Sequence, residues 1–162
     1  MDEIYHEKQK LALCALHAVN NILQNPAYTK QEFDEIADQW DSKWSLWGNH
    51  RSVLGHYDIN VIETALLQKE METKWFDMRK GVEKVCEEEF DALLINSKSA
   101  WGLMPLVRTA HWSVCISKNG VFWFLDSKSG TPGGPYTKQE LTNSNELNSK
   151  EITQILLVSR KH

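Results

Sequence analysis

A chain of 162 residues with 41% hydrophobic residues, seven Trp and 25% charged residues has the apolar material for one buried core and none of the depletion that marks disorder. Its net charge of −4 and isoelectric point near 5.9 argue against a surface built to track nucleic-acid phosphates, so a protein or peptide partner is expected. Three cysteines, an acidic Met1-Asp2-Glu3 start and no apolar run near the ~18 residues that span a bilayer point to a soluble intracellular protein with reduced thiols, folded as a single domain over residues 1–162.

Between residues 11 and 24, Leu11, Ala15, Ala18, Val19, Ile22 and Leu23 recur at helical spacing and Asn25-Pro26 stops them. This predicts a mostly buried helix with Cys14 near its start. Thr29 and Glu32 form a capping box for a second helix, with Phe33, Ile36 and Trp40 on one stripe. Residues 41–57 turn irregular, with Trp44, Trp47, Gly48 and Gly55 among polar residues, and read as a loop or short helical excursion. Asp58 caps a third helix in which Ile59, Ile62, Ala65 and Leu66 share a face.

The remainder reads as strands over residues 73–77, 92–96, 110–117, 121–127 and 152–159. Asn119-Gly120 is a strong hairpin signal, because both residues tolerate positive φ. Residues 129–135 are rich in Gly and Pro and read as an ordered loop before a short helix capped by Thr137 and Glu140. Helices first and antiparallel strands after define an α+β fold with the helices packed on the sheet.

Chemistry gathers at three places. A helix start presents unpaired N–H groups and a partial positive charge, which favour thiolate over thiol, and Cys14 stands there. With Asn119 and Gly120 as the central turn residues, Ser113 faces Asp126, and His111 lies diagonal to it on the same face, about 7–8 Å away and within side-chain reach. A register shifted by two residues sets His111 and Asp126 directly opposite, whereas a one-residue bulge separates them. In either favourable register Asp126 can hold one imidazole nitrogen and leave the other for a thiol. Gln9, just upstream of the helix, could join the Cys14 N–H in binding an oxyanion.

Each residue also has a plainer reading: Cys14 as buried filling, Asp126 as a turn acid, Gln9 as solvated. Cys86 and Cys115 read as structural. His17, one turn after Cys14, competes as the base, but only His111 comes with an acid to orient it. Zinc is set aside, because His111 and Cys115, four apart on one strand, stand roughly 13 Å apart.

The runs Ile4-Tyr5-His6-Glu7-Lys8-Gln9 and Leu13-Cys14-Ala15-Leu16-His17-Ala18-Val19-Asn20-Asn21-Ile22-Leu23-Gln24 resemble the opening of the Josephin domain. Tyr57-Asp58-Ile59-Asn60-Val61-Ile62, His111-Trp112 and Leu125-Asp126-Ser127 continue the likeness in order across nearly the whole chain. The resemblance implies a papain-like cysteine protease fold and a deubiquitinase that hydrolyses the bond after ubiquitin's C-terminal glycine. Its nucleophile falls on Cys14, its base on His111, its orienting residue on Asp126 and its oxyanion glutamine on Gln9. The orienting residue is Asn in ataxin-3 and Asp in the shorter Josephin proteins, so the chain is more similar to the latter.

Ubiquitin contacts carried over from the family fall on Tyr28, Ile59 and Asn60, while a further Trp of ataxin-3 falls on Lys69. The implied enzyme needs no metal or organic cofactor. It acts on ubiquitin and ubiquitinated proteins in the cytoplasm, with the nucleus also open, and is expected to be a monomer. The rival reading is a ubiquitin-binding module of the same fold with little turnover.

Overall fold

The computed structural model describes residues 3–9, 13–44, 57–101 and 104–161. Three helices come first: α1 (Cys14–Leu23), α2 (Lys30–Trp44) and α3 (Ile59–Leu67). They are followed by β1 (Met71–Trp75), two 3-10 turns over Met78–Lys80 and Val82–Glu87, β2 (Ala92–Trp101), β3 (Met104–Lys118) and β4 (Val121–Leu125). A short strand β5 (Gly133–Tyr136), helix α4 (Lys138–Thr142) and strand β6 (Ile152–Arg160) complete the order.

Local chemistry explains most of these boundaries. Helix α1 ends at Gln24, whose left-handed φ of 57° lets its N–H turn back onto the Asn20 and Asn21 carbonyls. At the head of α2 the Thr29 N–H donates to Glu32 Oε2 at 2.7 Å and the Glu32 N–H to Thr29 Oγ1 at 3.3 Å, the reciprocal box expected there. Asp58 caps α3 through a 2.6 Å bond from the Asn60 N–H. Thr137 and Glu140 form a second capping box on α4.

Several expectations change; among them, the strand expected over 121–127 ends at Leu125. Residues 41–44 continue α2, and residues 45–56 of the segment read as a loop, with Trp47, Gly48 and Gly55, lie outside the described residues. The strand expected from residue 73 begins at Met71, ahead of it in the chain. Strands β2 and β3 run to Trp101 and from Met104, well beyond the expected 92–96 and 110–117. Within the stretch read as a loop, Gly133–Tyr136 forms β5 along the free side of β4. Pro135 is tolerated there because an edge strand leaves one row of backbone groups unpaired.

The six strands form one antiparallel sheet in the order β1-β6-β2-β3-β4-β5, with the last strand of the chain inserted between β1 and β2. Alternation divides its core in two. Leu94, Trp112, Val114, Ile116, Leu125 and Leu156 meet α1, α2 and α3 on one face. Leu93, Ile95, Cys115, Ile155 and Leu157 meet Phe76, Val85, Cys86, Leu141 and Leu147 on the other. No helix among the described residues is long and apolar enough to cross a membrane.

Candidate active site

The β3–β4 hairpin sets the geometry. Asn119 and Gly120 take φ of 55° and 78°, and the ladder pairs Lys118 with Val121 through Val114 with Leu125, the register in which Asp126 follows opposite Ser113. No bulge interrupts the ladder between β3 and β4, so His111 and Asp126 share a face and their side chains meet. The His111 Nε2–H donates to Asp126 Oδ1 at 2.7 Å. That bond fixes the tautomer and leaves Nδ1, and the Cys14 side chain is the imidazole's second hydrogen-bond partner.

His111 is only 5% exposed, and burial by itself would lower its pKa. Its hydrogen bonds to Asp126 and Cys14, with the Asp126 charge, outweigh that penalty and the opposing Lys128 charge, so the pKa stands above the ordinary imidazole value. Burial pushes the Asp126 carboxyl up, but the His111 hydrogen bond and charge and the Lys128 N–H, 2.8 Å from Oδ1, bring it below the usual carboxylate range. Each partner therefore favours the charged form of the other.

Cys14 is the first residue of α1, and Leu13 before it supplies no side-chain cap. No acid stands in the first turn. The N–H groups of that turn lack intrahelical acceptors, so a negative charge at the thiol or beside it meets donors and the positive end of the helix dipole. Cys86 and Cys115 are buried, and burial raises the Cys115 thiol pKa far above its ordinary value. Cys115 has neither the helix end nor the imidazole.

The segment before α1 forms a strap between that helix and the end of β4. The Gln9 N–H donates to the Ser127 carbonyl at 2.6 Å, and the Ser127 hydroxyl donates to Gln9 Oε1 at 3.3 Å. The His6 Nε2–H donates to the Asp126 carbonyl at 2.9 Å. Glu7 faces the helix, where its carboxylate accepts from His17 Nδ1–H at 2.6 Å, from the Asn20 amide at 3.0 Å and from the Tyr5 hydroxyl. Its own N–H donates to Asn21 Oδ1 at 2.8 Å. His17 is thus paired with Glu7, and the competing base of the sequence reading is part of what anchors the strap.

Hydrogen bonds join His111 to Asp126 and to Cys14, and Gln9 is bonded to Ser127, the neighbour of Asp126. Tyr28 is buried at 7% exposure, with its hydroxyl donating to the Ala65 carbonyl at 2.8 Å and its ring edge-on to Phe33. A Tyr whose ring and hydroxyl are both used internally presents little surface to a partner. Ile59 and Asn60 are half-buried at the start of α3. Ser127, His6 and Glu7 carry no role in the residue-level reading, although all three lie in stretches that resemble the family. The signal that could have found them is the adjacency of Ser127 to Asp126 and of Glu7 to Gln9. Among the described residues no three His, Cys, Asp or Glu side chains cluster as metal ligands.

A helix led by a thiol packs on an antiparallel sheet, with an imidazole on β3 and a carboxylate just past the end of β4, and with the family match below this is a papain-like cysteine protease fold. The chain belongs to the Josephin family, whose model matches residues 9–159. It is 37% identical over 134 residues to human Josephin-2, an alignment spanning 80% of this chain and 71% of that one. The Josephin-like protein of Drosophila melanogaster is 35% identical over 145 residues, spanning 85% of this chain and 65% of the other. Ataxin-3 of Gallus gallus matches at 28% over 123 residues, spanning 62% of this chain and 33% of its own length.

Proposed function

We propose that this chain is a ubiquitin-specific cysteine isopeptidase, with Cys14 as nucleophile, His111 as general acid and base, Asp126 as orienting acid and Gln9 as oxyanion donor. The observation that carries the chemistry is the line from the Asp126 carboxylate through the His111 imidazole to a thiol on an uncapped helix start. Ubiquitin as acyl donor rests on membership of the Josephin family.

In the first step the Cys14 thiolate forms a C–S bond to the carbonyl of ubiquitin's C-terminal glycine, and the carbonyl electron pair moves onto oxygen. The Cys14 N–H and the Gln9 amide donate to that oxyanion. Collapse re-forms the carbonyl and breaks the C–N bond, while the His111 imidazolium protonates the departing lysine amine. Water, deprotonated by His111, then hydrolyses the thioester and returns the thiol. Asp126 holds the imidazole throughout and stabilises its cationic form. The start of α3, with Ile59 and Asn60, is the proposed ubiquitin contact.

The test is ubiquitin carrying a C-terminal electrophile, with a panel of di-ubiquitins as substrates. A covalent adduct on Cys14 that Cys14→Ala abolishes, with cleavage of at least one di-ubiquitin, is the expected result. Ubiquitin bound without adduct or cleavage would make the chain a binding module instead.

A further inference from the structure

A side-chain amide has one shape and two polarities: rotating its last bond by half a turn exchanges an N–H donor end for a C=O acceptor end at little steric cost. For an oxyanion glutamine this exchange matters, since the donor end stabilises the developing charge and the acceptor end repels it. Such a residue needs its side chain held in place, since a mobile amide offers its donor end only part of the time. Ser127, only 4% exposed, grips Gln9 twice, through its carbonyl to the Gln9 N–H at 2.6 Å and through its hydroxyl to Gln9 Oε1 at 3.3 Å. The first bond fixes the backbone of the strap and the second occupies the acceptor end of the amide.

We propose that Ser127 is a positioning residue that ties the Gln9 side chain and its backbone to the end of β4 and so fixes where the amide stands, an inference that rests on reading Gln9 as the oxyanion donor. Ser127 follows Asp126, whose carboxylate holds His111 at 2.7 Å and whose carbonyl takes the His6 Nε2–H at 2.9 Å. A single dipeptide at the end of β4 therefore orients the base with one residue and the oxyanion donor with the next.

The experiment compares the parent, Ser127→Ala, Gln9→Ala and the double variant on ubiquitin bearing a C-terminal fluorogenic amide, with iodoacetamide alkylation of Cys14 measured in parallel. Alkylation displaces iodide and forms no oxyanion, so it reports the thiolate alone. Removing a whole oxyanion donor costs on the order of 10²–10³ in kcat, and Gln9→Ala is expected in that range. Ser127→Ala is expected to lower kcat by about tenfold, with KM and the alkylation rate at parental values and no further loss on the Gln9→Ala background. A parental kcat for Ser127→Ala, an additive loss in the double variant, or a parallel fall in alkylation would overturn the proposal. If Gln9→Ala itself keeps full kcat, it is the oxyanion reading that fails.

Discussion

At the residue scale, a base must be neutral to take a proton and cationic to give one, and the Asp126–His111 pair decides where on the pH axis this exchange sits. The raised His111 pKa follows from the Asp126 and Cys14 hydrogen bonds overcoming burial. The imidazolium is the acid that protonates the leaving amine, so the alkaline limb of activity follows its loss. Asp126→Asn keeps an oxygen to accept from Nε2–H but removes the charge, which lowers the His111 pKa. The expected outcome is a fall in kcat/KM of about ten- to a hundredfold and an alkaline limb moved to lower pH. A profile of kcat/KM against pH on a ubiquitin C-terminal amide measures both, and a limb that stays put or moves upward contradicts the role given to Asp126. Hydrogen bonding also bears on the choice of base: His17 Nδ1 lies 2.6 Å from the Glu7 carboxylate, which also accepts from Asn20 and Tyr5, a bonding set that binds a strap.

At the element scale, the β3–β4 hairpin transmits a two-residue turn into the meeting of His111 with Asp126. Gly120 takes φ of 78°, and a Cβ built there meets nothing within 4 Å, so a substitution is strained only through the backbone. Gly120→Ala is expected to cost about 1–2 kcal/mol and to lower Tm by a few degrees, roughly 2–4 °C per kcal/mol for a chain of this size. Thermal unfolding followed by circular dichroism measures it. Because the register is retained, kcat/KM should stay near the parental value, and a large activity loss at full folding would show that the turn does more than join strands. Asn119-Gly120 was legible because a local backbone requirement selects those residues, and the same holds for Thr29, Asp58 and Thr137 as caps. Strand β5 was not, since Gly133, Gly134 and Pro135 have poor strand propensity and are held by pairing with β4, which lies outside their own sequence. The far ends of β2 and β3 are held by each other, Ser99 paired with Thr109 and Ala100 with Arg108, a partnership that neither segment's own sequence shows. The strap lay beyond periodicity altogether: the partners of residues 5–9 include His17, Asn20, Asn21 and Gln24 of the first helix and its cap, and the dipeptide Asp126-Ser127, more than 110 residues away.

At the scale of the whole molecule, the sheet is a wall with two cores, and only one of them lies between it and α1. Helix α1 packs on the face of Leu94, Trp112 and Val114, so the separation of Cys14 from His111 depends on how that interface is filled. The opposite core, with Leu93, Cys115, Leu141 and Leu147, supports the sheet without touching α1. Leu93 and Leu94 are neighbours on β2, both fully buried, and they pair with Cys115 and Val114. Truncating either to Ala leaves a cavity of the same nominal size and is expected to cost about 2–5 kcal/mol, seen in urea unfolding. Their effects on catalysis should differ. Leu94→Ala lets α1 settle toward the sheet and displaces the thiol from the imidazole, and a shift of about 1 Å in such a pair can cost on the order of 10²-fold. Assayed at a temperature where both variants are folded, Leu94→Ala should lose kcat by at least about tenfold with KM for ubiquitin little changed, whereas Leu93→Ala should keep kcat near the parental value. Equal losses in the two variants would mean that the strap, tied to α1 through Glu7 and to β4 through Gln9 and His6, holds the nucleophile in place and the core beneath α1 does not.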